Sequence, residues 1–464
     1  MAKNISVTSA VAADLLKHLP SDRVRYGGSD DFRIWNGAVN RVPALIVRPH
    51  TPAEVGSAVL TARSHDLPLS VLVGGNDWVG RSLRDAGLVI DLAEMRQVVV
   101  STQLQVATVE GGATAGDVVA AAQPHGLTAA TGTTSGVGMA GLTLGGGYGP
   151  LNGRFGLALD NLLSADVVLA DGRQVTANPA SEPELYWAMR GGGGNFGVAT
   201  SLSIRLHAVP EILSGFIIYP WSQATDVWTQ LNEILHDGPD ELTVQSGILT
   251  GSDGGPTVFL SPVWSGDLSR GHAVVEQLSQ LGTPLSSQVA RRRYADMLSF
   301  FDAQTVTGRH YALRTRTVPS YTSEVIAALI EAGESRSSAL SGVFIHHFHG
   351  AATRAAVDST AFGIRTPHFV VEIMAAWEPD DDEAPHWAWA DGVSTNLAAH
   401  ALAGGYANLL GPSDHDQIAH AYGPNADRLL AAKSRYDPDH VFSAIPLPPT
   451  SGPLGVSSQR EDPE

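Results

Sequence analysis

Residues 369–377 read Phe-Val-Val-Glu-Ile-Met-Ala-Ala-Trp, and a lone carboxylate in so apolar a run is the first candidate for chemistry. A strand's period of two puts Glu372 on one face with Val370 and Met374. An unpaired carboxylate among such neighbours is costly to ionise, so its pKa should rise into the range where a general base works near neutral pH. The competing reading is an ion pair with Arg314 or Arg316 on an adjacent strand. Three histidines, His346, His347 and His349, lie close together. Alternation sets His347 and His349 on one face and His346 on the other. With no acid beside them they do not complete a metal site, so no metal is expected, and His347 and His349 are read as lining a substrate pocket.

Glycine carries the second signal, with 49 residues in the chain. A first loop, Val73-Gly74-Gly75-Asn76-Asp77-Trp78-Val79-Gly80, follows a strand and is followed by Ser82. Its backbone amides can converge on an anion such as a pyrophosphate. A second stretch runs from Thr131, Gly132 and Thr133 through Gly136, Val137, Gly138, Gly141 and Leu142 to Gly145, Gly146, Tyr148 and Gly149. A third, Arg190 to Gly197, leads into Val198. None fits the nicotinamide fingerprint: after Gly147-Tyr148-Gly149 the third glycine would fall at Asn152. There is no GxxxxGK[ST] phosphate loop either. Each loop alone is compatible with an ordinary turn, but three in order point to one extended nucleotide ligand.

The elements that must hold these residues are short and mixed. Ala44–Val47, Leu69–Val73, Leu88–Leu92 and Val106–Val109 read as strands. Thr51-Pro52-Ala53-Glu54 opens one capped helix, and Thr114 opens a second. Asn161 to Thr176 reads as a hairpin turning at Asp171-Gly172. Beyond Pro210 strands (216–219, 243–249, 257–263, 310–315, 342–349, 369–377) alternate with helices (224–235, 273–281, 323–332, 387–400). That pattern suits a sheet covered by helices on one side. The expected division is 1–208, 209–404 and a returning segment 405–450, with a mobile tail at 451–464.

Composition bounds the function. Hydrophobic residues make up 43% and charged residues 16%, a core-forming balance. The formal net charge of −18 argues against nucleic-acid or anionic-membrane partners. The absence of cysteine removes disulfides and thiolate chemistry. Neither an apolar signal-peptide core nor an apolar run of about 18 residues is visible, and a soluble, cytoplasmic protein is expected. The acidic run Asp380-Asp381-Asp382-Glu383 reads as a solvated helix start.

Several segments resemble a known family. Pro43–Pro49, the Gly74–Gly80 loop and Gly87–Leu92 resemble the start of the FAD domain in the vanillyl-alcohol-oxidase superfamily. The Gly138–Gly149 stretch, Phe155–Asn161, Leu185–Gly197, Tyr406-Ala407-Asn408 and Tyr422 to Phe442 are similar to its berberine-bridge-enzyme-like branch. The resemblance implies an α+β fold: a two-lobed FAD-binding domain of the PCMH type, plus a substrate domain with an antiparallel sheet covered by helices. It implies FAD held by Val73, Gly74, Gly75, Asn76, Asp77, Gly80, Ser82, the Thr131–Gly149 stretch, Gly197, Val198, Tyr406 and Asn408. Glu372 falls at the family's active-site acid or amide position, and Tyr148 and Tyr406 become candidates to bond a substrate oxygen. The family's flavin-linking histidine is replaced by Asn76 and its cysteine by Thr134, which implies dissociable FAD. Valine at 137 leaves room for oxygen. The expected activity is hydride removal from a small hydroxylated natural product or sugar, with O2 as acceptor. Non-redox cyclisation on the same fold, or flavin carriage without turnover, is the alternative.

Overall fold

Thr51 caps the helix Pro52–Ser64 by accepting a hydrogen bond from the Glu54 amide, as the sequence pattern predicts. That helix links two parallel neighbours in the first sheet, where Leu45–Val47 and Leu69–Leu72 flank Leu88–Asp91. The structure, a computed structural model, describes residues 2–28, 34–302 and 305–449. The expected tail at 451–464 lies outside the described residues.

A second, five-stranded antiparallel sheet is built from Val98–Ser101, Val106–Glu110, Val198–Arg205, Leu162–Val168 and Gln174–Ala177. Its hairpin turns at Asp171-Gly172 as expected, with Gly172 at φ +80°. The third sheet has nine strands. From Pro256–Trp264 to one edge it runs Leu242–Thr250, Gly342–Phe348, His368–Trp377 and His310–Val318, all antiparallel. Helices Ala224–His236, Ser323–Glu334 and Ala384–Ala398 pack on one of its faces. The largest apolar core is drawn solely from residues between Leu213 and Leu397. A separate core combines Ala107 to Leu206 with Ala361 and with Ala407 to Tyr436 of the returning segment.

Among the helices that depart from the sequence reading, three bear on the glycine runs and the cleft. The second glycine stretch is partly helical, over Met139–Gly145, with Met139, Ala140 and Leu144 buried. The third glycine run begins inside the helix Pro183–Gly192. Tyr294–Asp302 is also a helix. Its buried Tyr294, Met297, Leu298 and Phe301 fall at i, i+3, i+4 and i+7, a signal the sequence does carry.

The returning segment is pinned by one buried cation. The Lys433 ammonium donates to the carbonyls of Asn195 and Phe442, each at 2.7 Å, and to the Asp437 carboxylate. Asp437 in turn accepts the amides of Val441 and Phe442. This joins the third glycine run to the C-terminal helix Ala426–Tyr436. Removing one partner of a buried pair strands the other charge in the protein. Lys433→Met is therefore expected to lower stability by about 3–5 kcal/mol in urea unfolding; a loss under about 1 kcal/mol would contradict this assignment.

Candidate active site

The glycine loops meet first. Gly74 and Gly75 take φ of +66° and +67°, a left-handed turn that side chains resist. A Cβ on Gly74 would lie 2.4 Å from the Gly136 carbonyl oxygen, and one on Gly138 would lie 2.4 Å from a Val73 methyl. The Asn76 amide nitrogen donates to Gly136 O at 2.7 Å and Gly74 O at 3.0 Å, tying the two loops side to side. The helix Tyr294–Asp302 braces the second loop, because the Asp302 carboxylate accepts the Ser135 amide at 2.8 Å and its hydroxyl at 2.6 Å.

An open cleft of about 1150 Å³, mouth included, lies between these loops and the bare face of the nine-stranded sheet. Asn76, Asp77, Gly132, Thr133, Thr134 and Val137 come from the loops. Leu313, Phe344, His346, Val370, Glu372 and Met374 come from the sheet. Tyr148, Tyr406 and Asn408 close one end, and Trp35 and Trp78 add aromatic wall.

The residues fit a flavin dinucleotide. Gly141, at the start of the Met139–Gly145 helix, has open space where a Cβ would stand, unlike its packed neighbours. The Ser82 hydroxyl is buried without a hydrogen-bond partner. The third glycine run behaves differently. Gly191, Gly193 and Gly197 press against Phe362, Ile445 and Val167, and neither Gly197 nor Val198 borders the cleft. Two of the three runs meet at this cleft, and the glycines of the third pack closely on protein.

The two tyrosines differ. The His368 Nδ1 lies 2.7 Å from the Thr366 carbonyl, so it carries the proton and Nε2 is left as acceptor. The Tyr148 hydroxyl therefore donates to His368 Nε2, at 2.6 Å. Burial lowers His368 to about 4, which keeps it neutral, and raises Tyr148 well above its usual value. Tyr406 has the reverse arrangement. Its oxygen accepts the Gly147 amide at 2.9 Å and the Asn408 side-chain nitrogen at 3.0 Å. Burial pushes Tyr406 up to about 12 against those two donors, and its own proton remains free to donate into the cleft.

Glu372 sits in the sheet wall with Val370 and Met374, as alternation requires. Its neighbour is neither arginine. Arg314 pairs with Asp391, and Arg316 with Asp416. The partner is His346, whose Nε2 lies 3.1 Å from the carboxylate. The strand register explains this: Phe344 faces Glu372 and His346 faces Val370, so all four point the same way. Alternation correctly separates His346 from His347, but which face meets the cleft depends on that pairing. His347 and His349 stack at 3.9 Å between centroids and stay outside the main cleft. Burial pushes His347 well down and His349 to about 4. Their expected role as the main pocket lining passes to His346. Among the described residues no cluster of three His, Cys, Asp or Glu could hold a metal, and no helix is long and apolar enough to cross a membrane.

Comparison with known proteins agrees with this geometry. A family described as "FAD binding domain" matches residues 43–178, and one described as "Berberine and berberine like" matches 405–445. The FAD-linked oxidoreductase aurO of Gibberella zeae is 32% identical over 419 residues, 89% of this chain and 82% of that one. The (R)-6-hydroxynicotine oxidase of Paenarthrobacter nicotinovorans is 29% identical over 433 residues, 88% of this chain and 92% of the other. The crystal structure of 6-hydroxy-D-nicotine oxidase from Arthrobacter nicotinovorans superposes with a TM-score of 0.83 at 27% identity, covering 91% and 96% of the two chains. Xylooligosaccharide oxidase from Myceliophthora thermophila, solved with xylobiose, gives 0.83 at 25% identity over 95% and 99%. Loop-lined cleft and bare sheet face together define an FAD-dependent oxidoreductase. The chain belongs to the berberine-like family of FAD-linked oxidoreductases.

Proposed function

We propose that this protein is an oxidase that takes a hydride from a small hydroxylated organic molecule and delivers the electrons to O2. One observation carries the reading: a carboxylate, Glu372, stands in the sheet wall among Leu313, Phe344, Val370 and Met374, beside His346, and faces the cleft that the glycine loops floor. The division 1–208 with 405–450 for FAD, and 209–404 for substrate, is supported by the separate apolar cores.

FAD, when bound, supplies the two-electron acceptor and passes the electrons on to O2, giving H2O2. The chain's own residues do the rest. Glu372 receives the substrate hydroxyl proton as the adjacent C–H leaves as hydride. Tyr406, its oxygen held by Gly147 and Asn408, donates its free proton to the substrate oxygen and orients it. Tyr148, committed to His368, forms wall and takes no part in proton transfer. Trp35, Leu313, Phe344 and Met374 keep water from the reacting atoms and favour a ring-bearing natural product over a free sugar. Val137 on the cleft wall leaves space for O2.

We further propose that the FAD is dissociable. Asn76 is a carboxamide already committed to two carbonyls, Thr134 is a hydroxyl, and neither provides a nucleophile for a flavin bond.

Two experiments test this. Acid precipitation of the yellow holoenzyme should leave all colour in the supernatant; colour in the pellet would contradict the assignment of Asn76. Anaerobic mixing with candidate substrates, xylobiose and 6-hydroxynicotine first, should bleach the flavin, and Glu372→Gln should slow bleaching by roughly 10²–10⁴-fold. Turnover with the flavin still oxidised would replace this reading with a non-redox role.

A further inference from the structure

A second, smaller chamber adjoins the cleft behind His346 and Gln245, which line both spaces. Three of its wall residues bury a polar atom that has no partner among the described residues: Asn152 Oδ1, Gln245 Oε1 and His347 Nδ1. These residues are 2%, 8% and 5% exposed, so no bulk water reaches those atoms. One stranded polar atom in a core is costly, and three residues with such an atom line this one hollow. The Asn152 amide nitrogen donates to the His347 carbonyl at 2.8 Å, which fixes its oxygen as the free acceptor. The wall thus offers a free acceptor at Asn152 Oδ1 beside the polar side chains of Gln245 and His347, the latter kept neutral by burial. A small neutral hydrogen-bond donor fits it, and water meets that description with two to four bonds each.

His346 connects this chamber to the chemistry. Its Nε2 lies 3.1 Å from Glu372, and its Nδ1 has no protein partner among the described residues. Glu372 is the charged group facing it from the neighbouring strand; Gln245, Thr133 and Phe301 approach from the other elements and are uncharged. We propose that the chamber holds ordered water and that His346 relays protons between this water and Glu372. The inference rests on the reading of Glu372 as the base. With its ring proton on Nδ1, His346 accepts at Nε2 the substrate-derived proton from the Glu372 carboxyl as Nδ1 releases its own proton to chamber water. Reduction of O2 to H2O2 consumes two electrons and two protons. One proton arrives with the electrons as hydride, and the other returns along the same line. His346 acts through Glu372 and is a positioning and relay residue.

The test uses the FAD holoenzyme. A crystal structure that orders solvent should show water within hydrogen-bond distance of Asn152 Oδ1, Gln245 Oε1 and His347 Nδ1; a dry chamber overturns the proposal. Dithionite-reduced enzyme mixed with O2 needs no substrate and reads proton delivery directly. His346→Gln keeps a hydrogen bond to Glu372 but cannot relay. It should reoxidise about tenfold or more slowly, with a larger solvent isotope effect, partial rescue by added imidazole and unchanged FAD content. A wild-type rate and pH profile in His346→Gln, with Glu372→Gln still slow, overturns the relay alone. Wild-type behaviour in Glu372→Gln overturns the base assignment beneath it.

Discussion

The active-site cleft depends on two backbones touching where side chains would keep them apart. Gly74 and Gly138 allow the first and second glycine loops to come within van der Waals contact, and the Asn76 amide joins them through Gly136. The cost is conformational, because glycine loses more freedom on folding than any other residue. Burial elsewhere offsets it, through cores on each side that contribute of order 25 cal/mol per Å² of apolar surface removed from water. Once the loops are in contact, the space between them and the bare sheet face is set, and so is the distance from any ligand on the loops to Glu372.

The rest of the molecule holds that geometry. Tyr406 on the returning segment reaches back to the Gly147 amide, so the last part of the chain completes the second loop. Asp302 grips Ser135 from the side of the large sheet. Lys433 ties the returning segment to the third glycine run, where Gly193 and Gly194 let Ile445 and Ala444 pack closely. Chain segments far apart in sequence thus meet at one site, which suits a cofactor that must be enclosed by one part of the chain and approached by substrate from another.

Much of this is legible in the sequence. Thr51 and Thr114 announce their helices by capping chemistry, and alternation in 369–377 gives the face of Glu372 correctly. What stays hidden is pairing between strands. The sequence offers Arg314 or Arg316 as partners for Glu372, yet both lie on the helix-covered face, and His346 is brought in by a register that only the folded sheet defines. Tyr148 and Tyr406 are equivalent as letters. Their roles separate through His368, Gly147 and Asn408, contacts that span more than 200 residues for two of the three. Glycine richness likewise does not say whether a missing side chain leaves open space, as at Gly141, or makes room for protein, as at Gly197.

We propose that contact between the two loops creates the FAD site. Measuring FAD affinity of apoprotein by flavin fluorescence, for wild type and for Gly74→Val, tests it most directly. The wild type is expected to bind FAD tightly and one-to-one, and Gly74→Val to lose binding while its circular dichroism shows the sheets intact. Wild-type affinity in a folded Gly74→Val protein would contradict it.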